Sequence, residues 1–489
     1  MNTMASSTDI ADTSLAGPAA ESVVPFTKKV LYGSGSFAEF TWQWSVQSLA
    51  MPIYNVCFGV NPALVGLVLG VARIWDAITD PIMGSISDNS RSKWGRRRPF
   101  IFAGAIASGL TYALLWMAPR GMPQWAYVAF FLVASLLFYS AYTVFSVPFY
   151  AFGYEMSDDP RERTRVMGSR IIGNSLCGLL VAPWIYWLAQ RNLFSDTIQG
   201  IRCVGLATGL VMMGFALVPA LFLRDQTQAR VAHQEQVSIW ASLRYSLTCR
   251  PYLILIGGFA SALLLFAMVS QINFYLAAFY VFQGDTARAS LWIGWAQAVQ
   301  HIVVIVFAPW LARLANRWGK KKTCITFLSC IAIGALMNFF AYQRDMPWLM
   351  IFPPFVMMFG WASLWMFVPS MIADVTDWDE LQHGLRREGM FGAIHCWVVK
   401  MAFSFGALCS GVLINLTGFQ IKLAEAGAAQ PEGTFSRMLL LAALFPAVGV
   451  GGAMLLLSRF PLTEAAMVRV KAQLRERHAS GDELDGESH

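Results

Sequence analysis

Charge is what this chain of 489 residues has least of: Asp, Glu, Lys and Arg make up only 13% of it. That is about half the share usual in a soluble globular protein. Soluble domains of this length would lack a polar coat, whereas many apolar runs reach the roughly 20 residues needed to cross a bilayer. Paired cysteines are also missing. Cys57, Cys177, Cys203, Cys249, Cys324, Cys330, Cys396 and Cys409 stand singly, mostly inside apolar segments, so neither a disulfide framework nor a zinc site is indicated. A Walker-type phosphate loop, a metalloprotease pattern and a nucleophile elbow are all absent, which argues against direct ATP drive and against an enzyme. The first 25 residues are polar and lack the apolar core of a secretory signal, so residues 1–25 are expected to be a disordered cytoplasmic tail.

What the chain does have is a series of apolar spans. They lie at roughly 31–59, 63–87, 99–118, 125–153, 166–190, 202–223, 251–282, 290–315, 324–342, 347–373, 389–418 and 437–458. Of the 36 Lys and Arg, 27 fall on the side that holds both termini and seven on the other. Basic residues are retained on the cytoplasmic face, so the net charge of +7 reports topology rather than nucleic-acid binding, and both termini are expected inside.

The chain also repeats itself. Lys93-Trp94-Gly95-Arg96-Arg97-Arg98 follows the second span, and Arg317-Trp318-Gly319-Lys320-Lys321-Lys322 follows the eighth, an offset of 224 residues. A second echo links Phe145-Ser146-Val147-Pro148 to Met366-Phe367-Val368-Pro369, each followed by a mixed-charge loop, Asp158 to Arg165 and Asp374 to Arg387. A turn glycine with positive-inside charge would explain one such loop; two in register indicate duplication. An all-α membrane protein is expected, with six-helix bundles at 26–223 and 251–458, a cytoplasmic linker at 224–250 and a cytoplasmic tail at 459–489. Within that tail, 464–477 reads as an amphipathic basic helix on the cytoplasmic surface.

The most informative stretch runs from Val71 to Gly84. Arg73, Asp76 and Asp80 are spaced to share one helix face, and Asp76 falls near the middle of the second span. Each buried acid costs about 2.5–3.5 kcal/mol on insertion scales, so both acids should face a polar cavity. Like charges one turn apart repel, and Arg73 alone does not balance two acids. Either a proton or a small cation should sit between them, which describes a coupling site; the plainer reading is a static Arg–Asp pair that locks the helix. Asp88 stands at the loop edge, where a gating or structural role fits better than solute contact. The 224-residue offset places Gln297, Gln300 and Val304 opposite Arg73, Asp76 and Asp80. The second half thus replaces carboxylates with amides beside His301, and amides suit a hydroxyl-rich solute; interhelical bonding is the alternative.

Through Arg73–Gly84, the Asp88–Pro99 loop and Ala373-Asp374-Val375-Thr376-Asp377-Trp378-Asp379, the sequence resembles the glycoside–pentoside–hexuronide:cation symporters. Tyr32-Gly33-Ser34-Gly35 and Val398-Val399-Lys400 also fit this melibiose-carrier branch of the major facilitator superfamily. The resemblance implies the major facilitator fold, twelve transmembrane helices in two six-helix halves, with a solute site between them. It implies that Asp76 and Asp80 bind the coupling cation, Na⁺, H⁺ or Li⁺, that Thr143 completes the shell, and that Lys400 projects near the carboxylates. Oxygen ligands suit a hard alkali ion. For the solute it implies Arg170, Trp365, the helix 11 residue His395, and Tyr150 in place of a tryptophan. Phe40 and Ser146 stand where the family has sugar-gripping aspartates. Those departures argue against galactoside recognition and make an anionic solute such as a hexuronate more tolerable. Glu39, beside Phe40, reads either as a partial substitute or as a helix-boundary charge.

The sequence is therefore read as a cation:sugar or glycoside symporter of the inner (plasma) membrane, without a resident cofactor, functional as a monomer in the bilayer. Alternatives are a uronate or lysolipid-like solute, or a non-transporting sensor on a carrier fold. The loops carrying Arg96, Arg97, Arg98 and 317–322 are expected to pair with acids near 155–162 and 374–380, with Asp88, Asp374 and Arg387 among the gating residues. Such pairs are expected to hold the outward-facing state.

Overall fold

The computed structural model describes residues 23–157, 160–223, 248–383 and 387–486. The tail expected at 1–25 and the linker expected at 224–250 lie almost wholly outside the described residues, as does Asp158. The first half comprises α1 (Phe26–Ala50), α2 (Pro62–Asn89), α3 (Arg98–Leu115), α4 (Gln124–Glu155), α5 (Pro160–Leu180) and α6 (Thr197–Phe222). The second comprises α7 (Arg250–Val269), α8 (Thr286–Trp318), α9 (Lys320–Ala341), α10 (Phe352–His383), α11 (Glu388–Leu416) and α12 (Thr434–Ser458), with α13 (Glu464–Gly486) beyond it. Among the described residues, 11 helical stretches are long and apolar enough to cross a membrane. α1 completes the twelve; its Lys28, Lys29, Glu39 and many hydroxyl and amide side chains lower its hydropathy.

Local chemistry fixes the helix ends. Asn61, Asp196 and Asp285 cap α2, α6 and α8 by accepting from the N–H groups of Ala63, Gln199 and Arg288. The duplicated Trp-Gly turns place Gly95 at φ 102° and Gly319 at φ 83°, a region that glycine enters without steric cost. The repeat extends to the backbone. A π-helical segment continues α1 at Met51–Cys57, and another follows α7 at Leu276–Val281.

Two expectations need correction. Asp374 and Asp379 belong to the last turns of α10, which runs ten residues past the expected end at 373; both acids are buried and ion-paired, so their charge does not end the helix. The tail helix, longer than expected, sinks Met467, Val470 and Leu474 into the core of the second half and turns Lys471 toward Asp374 at 3.7 Å. It therefore docks on protein as well as facing outward.

The halves meet at the end away from the termini. One hydrophobic core runs from the first half across to Tyr275, Ala278, Ala407 and Ile414, while a second core is confined to the second half. α2 and α11 touch where a Cβ on Gly411 would lie 2.2 Å from the Pro62 carbonyl oxygen, so only glycine permits that approach.

Candidate functional site

α2 brings Asp76 fully inside the protein and leaves Asp80 half-buried. The second positive charge that two acids require comes from the other half. Lys400 Nζ on α11 lies 2.8 Å from Asp76 Oδ2 and also pairs with Asp80 Oδ2. Arg73 Nη1 stands 3.4 Å from the same Asp76 oxygen, with its guanidinium 5.4 Å from the Tyr139 ring centroid. On the opposite side, Thr143 Oγ1 lies within donating distance of both remaining oxygens, 3.1 Å from Asp76 Oδ1 and 3.3 Å from Asp80 Oδ1. One turn beyond Lys400, the Ser404 hydroxyl donates to the Gly70 carbonyl at 2.7 Å. That bond holds α11 against α2 and sets the height of the ammonium.

A second cluster lies on α1, α4 and α5. Arg170 grips Glu39 with two bonds, Nη2 to Oε1 at 3.1 Å and Nε to Oε2 at 3.2 Å. The Tyr150 hydroxyl also donates to Glu39 Oε1, and the Arg170 guanidinium sits 3.9 Å from the Tyr150 ring centroid. Glu39 is 2% exposed, so of its two sequence readings the structure excludes a helix-boundary charge. Phe40 turns elsewhere, with its edge on His301 of α8 at 5.3 Å. Ser146 is buried on the α4 face that carries Thr143 and Tyr150.

The second half contributes neutral groups. Trp365 is 39% exposed and meets Phe259 edge-on at 5.4 Å, and His395 lies 4.8 Å from the same ring. Among the described residues, the buried His395 Nδ1 has no hydrogen-bond partner. Gln300 is half-buried beside His301, whose ring rests on the backbone of α5 at Gly178. Of the residues singled out from the sequence, Thr143 and Lys400 join the carboxylate pair directly, whereas Trp365 and His395 pack on Phe259.

The charged gate residues find acids and carbonyls within their own half. Arg97 bonds Asp88 at 2.6 Å and Glu155 at 2.8 Å, Arg96 also takes Glu155, and Arg98 Nε donates to the Ala220 carbonyl at 2.8 Å. Lys320 meets Asp374 at 2.7 Å, and Arg387 meets Asp379 at 3.4 Å. Short loops keep these side chains next to their own helices, and Arg96 and Arg97 with Glu155, like Lys320 with Asp374, join a basic loop to an acid in the segments that the sequence suggested. Neutral hydrogen bonds cross between the halves at the far end: Asn415 Nδ2 to Asn61 Oδ1 at 2.7 Å, Tyr275 hydroxyl to Asn55 Oδ1 at 2.7 Å, and Gln271 Nε2 to the Gln47 carbonyl at 2.9 Å. Amides in polar helix ends gave no sequence signal for this role.

Two six-helix halves closed at one end, with charged side chains meeting between them, define a polytopic membrane carrier. The family model described as MFS/sugar transport protein matches residues 31–464, and the chain belongs to that family. Among curated relatives, the isoprimeverose transporter of Lactiplantibacillus pentosus is 23% identical over 95% of this chain and 94% of its own. The inner membrane symporter YicJ of Escherichia coli is 24% identical over 87% and 89%. The human sodium-dependent lysophosphatidylcholine symporter 1 is 24% identical over 83% and 78%. In fold, the chain is similar to a bacterial homologue of the lysosomal transporter Spinster in an inward-facing, unoccupied conformation, with TM-score 0.65 and 14% identity over 89% of this chain and 96% of that one. A D-xylose-proton symporter aligns with TM-score 0.60 and 16% identity over 89% and 97%. The protein is a multi-pass membrane transporter of the major facilitator type, not an enzyme.

Proposed function

We propose that the chain is a cation-coupled symporter for a sugar or glycoside, working by alternating access from the cytoplasmic membrane with both termini in the cytosol. The observation that carries this reading is the position of the Lys400 ammonium, which fills the place between Asp76 and Asp80 that a coupling cation would take. Asp76 Oδ1, Asp80 Oδ1 and Thr143 Oγ1 supply oxygen ligands for Na⁺, Li⁺ or H⁺. Two unit charges about 4 Å apart interact by roughly 4 kcal/mol at an effective dielectric of about 20. An incoming cation recovers what the departing lysine gives up, so the exchange is close to balanced.

Lys400 lies on the second half and the two acids on the first. Displacing the ammonium therefore removes a bond between halves and frees a charge beside the solute space. Solute then occupies the gap, and the loaded halves rock. Coupling is reciprocal: cation and solute raise each other's affinity by the same factor. Isoprimeverose and D-xylose carriers among the similar proteins support a sugar-like solute.

The test is solute uptake into proteoliposomes under imposed Na⁺, Li⁺ or proton gradients. Concentrative uptake with one of these and none without a gradient is expected; uptake indifferent to all three gradients would sink the reading.

A further inference from the structure

The halves touch along two seams, α2 against α11 and α5 against α8. The 224-residue offset carries α2 onto α8 and α5 onto α11, so the seams are counterparts in the repeat. Their chemistry differs. Lys400 ties the first seam to Asp76 and Asp80 by charge. Amides, hydroxyls and rings tie the second.

The second seam begins at the far end. Beyond α5, Gln190 donates to Ser290 Oγ at 3.0 Å and accepts from Thr286 Oγ1 at 2.5 Å. Further in, Trp184 covers Gly294, where a Cβ would lie 2.8 Å from the indole, and meets Trp295 edge-on at 5.2 Å. Deepest of the three, His301 fills a notch at Gly178: a Cβ there would lie 2.1 Å from Nε2 and 2.2 Å from Cε1. Phe40 of α1 backs the same imidazole in an edge-to-face contact at 5.3 Å. The offset maps Gly178 onto Ala402 and His301 onto Ala77, so the α2–α11 seam has a methyl at both places. One seam is held by charge, the other by fit.

Fit is specific to one arrangement. A ring seated against backbone loses its contacts outright once the helices part, because a packed interior does not deform continuously. Resting on the alternating-access reading above, we propose that His301 is a positioning residue of the transport cycle. Seated in the Gly178 notch, with Phe40 behind it, the imidazole latches the far end shut and sets the balance between the two facing states. The latch uses no group of the cation site, so it multiplies that balance by the same factor whether or not the cation is bound.

The experiment measures electron-spin distances on the full chain in lipid nanodiscs. Labels sit on genetically encoded residues at the exposed positions Leu193 and Arg288, near the far ends of the α5 and α8 segments. Gly178→Ala forces the ring out of its seat, and overpacking of this kind should raise the share of the longer, open distance by about tenfold. His301→Trp overfills the same notch from the other side and should move the balance the same way. Adding His301→Ala to Gly178→Ala removes the clash, so the double variant should be less open than Gly178→Ala alone. General loss of stability does not produce that non-additivity. Each shift should be equal with and without Na⁺ or Li⁺. A Gly178→Ala distribution identical to the parent's would overturn the latch. So would effects of the two positions that simply add, or a shift that vanishes on adding Na⁺. The symport reading would survive all three results, because imposed gradients test it separately.

Discussion

Lys400 has no charged neighbour within four residues on α11, yet its ammonium touches two carboxylates of α2. It acts as a tethered competitor for the coupling ion. Lys400→Met should therefore tighten cation binding to the solute-free protein by about 10- to 150-fold, since removing a charged partner at this distance is worth about 1.5–3 kcal/mol. Solute uptake should fall at the same time, because the bond between halves that cation binding releases is then missing. Isothermal titration of the purified variant with Na⁺ or Li⁺, or its proton release on pH titration, checks the first part. Unchanged affinity would return Lys400 to a structural role. Sequence reasoning placed two unbalanced acids on one face but could not supply the balancing lysine by itself, because a contact across 320 residues exists only in the fold. Glu39 was left open for a related reason. A shift of one residue turns a side chain by about 100° around a helix, and sequence alone does not say whether Arg170 follows it.

At the scale of helices, spans were legible because bilayer thickness imposes a length and an apolar content that few other constraints mimic. The end of α10 was not, since Asp374 and Asp379 look like loop residues until Lys320 and Arg387 are seen beside them. The start of α1 is held by another such pair. Lys29 lies 2.8 Å from Glu162 of α5, and Arg165 pairs with the same carboxylate. The Lys29 hydrogen bond, then that of Arg165, holds the Glu162 carboxyl below its usual value of 4.5. A depressed carboxylate stabilises the folded protein above its unfolded pKa and loses that contribution as pH falls through the folded one. Thermal melts from pH 6 to 3 should accordingly show a smaller acid-induced drop for Glu162→Gln than for the parent chain below about pH 4.5. An identical drop in both would remove Glu162 from the account.

Across the whole molecule, the duplicated turns gave the two-half plan away, since Gly95 and Gly319 each occupy a backbone region that few other residues tolerate. The joint between halves stayed hidden because it is built from amides and hydroxyls, which sequence cannot separate from ordinary helix-end polarity. Asn61, Asn415, Asn55 and Tyr275 close the far end without charge, so this closure should be insensitive to salt. Each such bond is worth about 0.5–1.5 kcal/mol. Asn415→Ala should thus shift the equilibrium toward opening at that end by roughly two- to tenfold. Electron-spin distance measurements between labels on the outer ends of α2 and α11 would register a longer component; a distribution identical to the parent's would show that these bonds do not govern closure.

The paired acids carry the whole scheme, and purified Asp76→Asn and Asp80→Asn proteins in proteoliposomes examine them directly. The decisive comparison sets gradient-driven accumulation against solute exchange at equal cation concentration on both sides. Each variant should insert normally and lose accumulation by about 100-fold or more, while equilibrating exchange survives at least in part. Full concentrative uptake by both variants would contradict the assignment of cation coupling to this site.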